Sequence, residues 1–141
     1  MKLLIAGSRG IIKTHEGGVH HIISDLVEKY RLDVTEVVHG GARGIDLMGG
    51  RWANKRDLPV VEMVPEWTKG KQAGLVRNGK MVEYCDFAMV FWDGHSKGTE
   101  DTARKIIKSG KPLWLMRWAW ITDYRGPKQP KALIVDPFGS A

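Results

Sequence analysis

The chain has 141 residues, of which 43% are hydrophobic and 27% are charged, and its formal net charge is +6. This size and composition predict one compact domain, because they leave too little chain for a second full domain. No apolar run is long enough to cross a bilayer, and the sequence begins at once with a strand pattern instead of a secretory signal. We therefore expect a cytoplasmic protein with no membrane partner. The single cysteine excludes an internal disulfide.

Strand and helix patterns alternate along the chain. Apolar runs predict strands at residues 2–6, 34–38, 60–64, 86–92 and 113–116. Helical spacing predicts helices at residues 19–27, 47–56, 72–84 and 99–109. This alternation predicts right-handed crossovers, and hence a Rossmann-like three-layer α/β sandwich with a mainly parallel sheet.

The last part of the chain departs from this alternation. We expect a ligand-binding domain at residues 1–117 and a C-terminal extension at residues 118–141 that packs on the domain or on a dimer partner. Within the extension, residues 124–131 predict a loop, and residues 132–135 predict an extra edge strand or a dimer contact. Trp114, Trp118 and Trp120 favour a homodimer, because they bring much aromatic area to a small sheet.

Three turns that contain glycine follow predicted strands, at residues 7–10, 40–46 and 93–101. The carboxyl ends of parallel strands lie on one edge of a sheet, so these turns can converge on one ligand. Glycine lets backbone N–H groups approach an anion, and a following helix adds its positive dipole end. The net positive charge also favours an anionic ligand. That ligand is either a nucleotide or a nucleic-acid backbone. For a nucleotide, we expect the phosphate at residues 40–44 and Arg77, and the sugar near residues 93–99.

The roles of several side chains near these turns allow two interpretations. Arg9, Arg43 and Arg77 supply either bidentate phosphate contacts or ordinary ion pairs. Asp46 either caps the following helix or bonds a ribose hydroxyl. Trp67, in a loop, either stacks on a base or covers the core. The five histidines lack metal-ligand spacing, so we expect no metal and no cofactor.

Several motifs occur in the order found in one superfamily. They are Gly7-Ser8-Arg9, the run from Gly40 to Asp46, Trp52-Ala53, Arg77-Asn78 with Met81, and the run from Phe91 to Gly94 with Ser96 and Gly98-Thr99. Over residues 1–117 the chain resembles the SLOG superfamily. That superfamily contains the Lonely guy phosphoribohydrolases, the DNA processing protein A family and small YspA-like proteins of phages and bacteria, which are the nearest match.

The resemblance implies a nucleotide-type ligand and three alternative functions. The first is binding of a nucleotide or a nucleotide-derived phosphorylated small molecule. The second is cleavage of the N-glycosidic bond of a nucleoside monophosphate, with Arg77, Glu100 and Asp101 as catalytic residues; here Asp101 stands where the Lonely guy motif has a glutamate. The third is single-stranded DNA binding, although the basic residues are dispersed. The expected ligand-binding residues are Gly7, Ser8, Arg9, Gly40, Gly41, Ala42, Arg43, Gly44, Asp46, Arg77, Asn78, Asp93, Gly94, Ser96, Gly98 and Thr99.

Overall fold

The computed structural model describes residues 1–118 and the strand Ala132–Val135. Within this part of the chain, six strands form one sheet: β1 (Lys2–Gly7), β2 (Glu36–His39), β3 (Val60–Glu62), β4 (Phe87–Trp92), β5 (Leu113–Arg117) and β6 (Ala132–Val135). Their order across the sheet is β3-β2-β1-β4-β5-β6. The first five strands are parallel, and β6 pairs antiparallel with β5. The prediction of a mainly parallel α/β sheet is confirmed.

Four α-helices cover the two faces of the sheet: α1 (Glu16–Lys29), α2 (Ile45–Lys55), α3 (Ala73–Tyr84) and α4 (Lys97–Ser109). Successive side chains of β1 point to opposite faces, so Leu3 and Ile5 join the core under α1 and α2, whereas Leu4 and Ala6 join the core under α3 and α4. Both faces are therefore buried, which explains why β1 and β4 read as continuous apolar runs.

The strand order reverses between β1 and β4, because the chain crosses from β3 at one edge back to the middle of the sheet. At such a switch point, the loops that follow the two neighbouring strands diverge to opposite faces and leave a crevice. The two loops are joined at their base. The Ser8 N–H donates to the carbonyl of Phe91 at 2.9 Å, and the Asp93 N–H donates to Ser8 Oγ at 3.1 Å.

The starts of α2 and α4 differ from the predicted ones by two residues, that of α1 by three and that of α3 by one. α4 begins at Lys97 instead of Thr99, because Ser96 is extended and its hydroxyl accepts the Thr99 N–H as an N-cap. α2 begins at Ile45 instead of Leu47, after Gly44 at φ +88°. The strand predicted at 34–38 lies at Glu36–His39, and the strand predicted at 60–64 ends at Glu62.

The C-terminal tryptophans that suggested a dimer are core residues where the structure describes them. Trp114 packs edge-on against Phe87, and Trp118 packs beside Phe91, so both are buried within this chain. Trp120 and the predicted loop at 124–131 lie outside the described residues. β6 extends the sheet as the predicted edge strand. The homodimer stays a prediction, which light scattering tests. Because Trp114 and Trp118 are buried within the chain, only Trp120 of the three tryptophans still supports it.

Candidate ligand cleft at the strand switch point

A cleft of about 490 Å³ opens at the carboxyl ends of β1 and β4. We call it the switch-point cleft. It contains side chains and backbone from all three predicted turns and from α3. The predicted site residues that line it are Gly7, Arg9, Ala42, Asp46, Arg77, Asn78, Asp93, Ser96, Gly98 and Thr99. Those that do not are Ser8, Gly40, Gly41, Arg43, Gly44, Gly94, Glu100 and Asp101.

The glycine turn after β2 is held together by its own chain. Asp46 Oδ2 accepts the N–H groups of Gly40 at 3.1 Å and Ala42 at 3.2 Å, and the Gly41 N–H donates to His39 Nδ1 at 2.9 Å. Three consecutive amides that were expected to hold a phosphate are thus already bonded. The Asp46 carboxylate occupies the position that an anion would take.

Asp46 neither caps α2 nor lies free in the cleft. The N-cap residue of α2 is Gly44, and no side chain caps that helix end, so the capping interpretation is wrong. Burial raises the pKa of Asp46 to about 6, against the lowering effects of the Ala42, Gly40 and Gly7 amides and the Arg77 charge. At neutral pH the carboxylate is therefore ionised, but it is far easier to protonate than an exposed aspartate.

Arg77 ties α3 to the ends of β2 and β3. Its Nη1 donates to the carbonyls of Gly40 at 2.7 Å and Met63 at 3.2 Å, and its Nε donates to Asn78 Oδ1 at 3.0 Å. A Cβ on Gly40 would overlap the guanidinium, so this approach requires glycine. Burial lowers the pKa of Arg77, with Asp46 opposing and Arg9 adding to that effect. Arg77 remains a cation at the cleft wall.

The two acids expected to be catalytic are bonded outside the cleft. Glu100 Oε1 accepts from Arg104 at 2.7 Å, and Asp101 Oδ2 accepts from Lys105 at 2.7 Å. Asp101 also accepts from Asn78 Nδ2 at 3.1 Å. Both acids therefore form i,i+4 ion pairs along α4, and Asp101 helps to orient Asn78. The carboxylates that do line the cleft are Asp46 and Asp93.

The turn after β4 is preorganised around Asp93. Its Oδ1 accepts the N–H groups of His95 at 2.8 Å and Ser96 at 2.9 Å. Burial opposes ionisation of Asp93, but these amides and the Ser8 hydroxyl outweigh burial and lower its pKa. The turn passes through Gly94 at φ +86°, where a side chain would overlap the guanidinium of Arg117.

Two buried hydroxyls support this turn from below. Ser8 Oγ donates to Thr99 Oγ1 at 3.5 Å, and Thr99 Oγ1 lies 3.1 Å from Ser96 Oγ. Ser8 thus joins the ends of β1 and α4 without lining the cleft itself. Its role is to position the loops.

The sequence reasoning missed Lys71 as a lining residue and did not decide the role of Trp67. Lys71 lies in a loop without a motif, so no sequence signal indicated it. Trp67 belongs to a short 3-10 helix at Trp67–Lys69, lines the cleft and is 59% exposed. The other lining residues that were not predicted as site residues are Ala6, Gly10, Gly74, Leu75, Met81 and Thr102.

Neither a metal centre nor a membrane helix is found in the described part of the chain. Within residues 1–118, no three His, Cys, Asp or Glu side chains are grouped so that they could hold a metal ion. No helix in the same region is long and apolar enough to span a bilayer.

Comparisons with known proteins agree with this architecture. Residues 1–70 match the family described as the YspA, cpYpsA-related SLOG family. The Gene 61 protein of Mycobacterium phage D29 is 38% identical over 84 residues, which are 55% of this chain and 67% of that protein. The X-ray structure of DNA processing protein A from Streptococcus pneumoniae is similar with a TM-score of 0.68 and 18% identity, over 86% of this chain and 52% of that one. At that identity the likeness shows a shared fold, and the chain spans about half of that structure.

Proposed function

The chain belongs to the YspA, cpYpsA-related SLOG family, and on that premise we propose that it binds a nucleotide or a nucleotide-derived phosphorylated small molecule in the switch-point cleft. The observation that carries the proposal is the convergence of three cations, Arg9, Lys71 and Arg77, on one cleft at the strand switch point. A volume of about 490 Å³ lies within the usual range of small-molecule sites, about 300–1,000 Å³.

The start of α4 is the best supported position for the phosphate. Ser96 caps the Thr99 N–H, whereas no group within residues 1–118 accepts the N–H groups of Lys97 and Gly98. Gly98 lines the cleft, so this helix end offers free donors and a positive dipole there. Residues 40–42 have less support as the phosphate site, because Asp46 and His39 already accept their amides.

Arg77 also lines the cleft and supports the same ligand. Its Nη1 and Nε are used within the protein, but no hydrogen bond within residues 1–118 uses its Nη2. That group is therefore available to a phosphate oxygen. Cleavage of the N-glycosidic bond has less support than binding, because Glu100 and Asp101 are paired along α4. We include a cytoplasmic location in the proposal, since nucleotides are abundant there and the only cysteine needs no oxidising compartment.

Thermal unfolding with a panel of ligands tests the proposal. AMP, GMP, CMP, UMP, ADP-ribose and a short single-stranded DNA are each added to the full chain. A ligand at one hundred times its dissociation constant adds about 2.7 kcal/mol, which is about 5–10 °C for a domain of this size. Lys108→Ala, on the exposed end of α4, is the control for Arg77→Ala.

A shift with a mononucleotide that survives Lys108→Ala and falls in Arg77→Ala supports the proposal. No shift with any member of the panel overturns it. A shift with single-stranded DNA alone also overturns it and favours a nucleic-acid function.

A further inference from the structure

Trp67 differs from the other tryptophans that the structure describes. Trp52, Trp114 and Trp118 are 3–8% exposed and belong to the core, whereas Trp67 is 59% exposed at the mouth of the switch-point cleft. Trp92 is half-buried and its indole N–H donates to the Ser96 carbonyl at 3.0 Å. Trp67 therefore contributes little to the core and presents a large apolar face to the cleft and to water.

The indole of Trp67 rests with one edge against α3. A Cβ on Gly74 of α3 would lie 3.3 Å from Cη2 and 3.7 Å from Cζ3 of the ring, so the ring edge rests on the helix where no side chain stands. The turn that carries Trp67 is closed by the Gly70 N–H, which donates to the Trp67 carbonyl at 3.1 Å. A ring that already packs against a helix loses less conformational freedom on binding a ligand than a ring without such a contact.

Apolar and hydrogen-bonding groups both line the cleft. Besides Trp67, its apolar lining includes Leu75, which is 40% exposed, and the buried Met81. Gly98, in the first turn of α4, and Asp93, in the loop after β4, line the same cleft. A flat aromatic surface and hydrogen-bond donors in one cleft match a molecule that has an aromatic ring and a phosphate.

We propose that Trp67 stacks on the base of the ligand, so that the cleft selects nucleoside phosphates over sugar phosphates that lack a base. This inference rests on the proposed function and deepens it. Stacking is tolerant of base identity, because every base has a π-face. We therefore expect AMP, GMP, CMP and UMP to bind, with the two purines tighter than the two pyrimidines owing to their larger stacking area.

Calorimetric titration of the full chain with AMP and with ribose 5-phosphate tests this selectivity. Loss of one base–aromatic stack, about 1–3 kcal/mol, corresponds to a weakening of about 5- to 150-fold. Trp67→Leu keeps an apolar cover but removes the π-face, and Trp67→Phe restores a ring. We expect Trp67→Leu to weaken the affinity for AMP by that factor and to leave the affinity for ribose 5-phosphate unchanged. Trp67→Phe should regain most of the AMP affinity.

Tryptophan fluorescence gives a second readout that a purely structural role would not produce. AMP stacked on Trp67 quenches its emission, so the quenching seen in the wild type is lost in Trp67→Phe even though AMP still binds. Thermal unfolding of each variant checks that the fold is intact.

The outcomes separate this inference from the proposed function. Equal affinity for AMP and ribose 5-phosphate, with no effect of Trp67→Leu, overturns the stacking inference and leaves phosphate binding standing. Binding of neither ligand, together with no thermal shift from any other member of the nucleotide panel, overturns the proposed function as well. Trp67→Leu weakening both ligands equally would make Trp67 a structural part of the cleft and also overturns the inference. If a single-stranded oligonucleotide binds through Trp67 and AMP does not bind, the base that stacks on Trp67 belongs to a nucleic acid. That result overturns the inference that the ligand is a mononucleotide.

Discussion

Asp46→Asn is expected to change how stability depends on pH. In the folded chain, burial raises the pKa of Asp46 from its ordinary value of 3.8 to about 6. The folded state thus binds a proton more tightly than the unfolded state does, so stability falls as pH rises between these two values. At 1.36 kcal/mol per pKa unit, the loss is about 3 kcal/mol. Asparagine keeps an oxygen that accepts the Gly40 and Ala42 amides, but it carries no charge.

Urea unfolding of the wild type and Asp46→Asn at several pH values, between about 3.5 and 7.5, measures this contribution. We expect the variant to gain about 3 kcal/mol of stability relative to the wild type as pH rises over that interval, whatever the fixed offset between them. Asp25→Asn, at an exposed position on α1, controls for the loss of one negative charge. A difference between variant and wild type that does not change with pH, or that grows as pH falls, would refute the reasoning.

Three other perturbations follow from the contacts of the cleft. Arg77→Lys removes the Nη2 donor that we propose for the phosphate, together with the guanidinium bonds to the Gly40 and Met63 carbonyls. It should weaken AMP binding about 10- to 150-fold in a calorimetric titration, from about 1.5–3 kcal/mol for a charge-assisted bond. An equal loss in Lys108→Ala would indicate diffuse electrostatic binding instead. Gly40→Ala forces the Arg77 guanidinium aside and should lower the free energy of unfolding by about 1–3 kcal/mol, as measured in urea. Unchanged stability would contradict the close approach of Arg77 to Gly40. Incubation with AMP should yield no free adenine by chromatography, because Asp101 is held by Asn78 and Lys105; release that disappears in Asp101→Asn would reverse this conclusion.

The architecture was predictable because it depends on local patterns that repeat. β-Branched and apolar runs separated by helical spacing indicated the five parallel strands and the four helices, and the glycines indicated the edge where the loops meet. The limits of each element were less accurate. The start of α4, for example, depends on the Ser96 hydroxyl reaching the Thr99 amide, and that cap competes with other turns that the same residues could form.

The site was harder to predict, because it depends on which side chains form hydrogen bonds and ion pairs with which partners in the folded chain. The carboxylate of Asp46 accepts amides of the preceding loop, in which Gly41 and Gly44 adopt positive φ angles. No sequence motif indicates this backbone conformation. The pairing of Glu100 with Arg104 did leave a signal, namely opposite charges four residues apart on a predicted helix. Reading that spacing would have weakened the catalytic assignment. Lys71 left no signal, because it enters the cleft from an irregular segment.

The mixture of charges along the switch-point cleft determines how strongly ionic strength affects binding. The described residues that line it include the cations Arg9, Lys71 and Arg77, and the carboxylates of Asp46 and Asp93. Binding of a nucleotide there displaces few counterions, so its affinity should fall only shallowly as salt is added. A protein that follows a nucleic-acid backbone releases counterions from many phosphates and shows a steep decline. The salt dependence of binding therefore distinguishes a mononucleotide site from a strand-binding groove without any substitution in the chain.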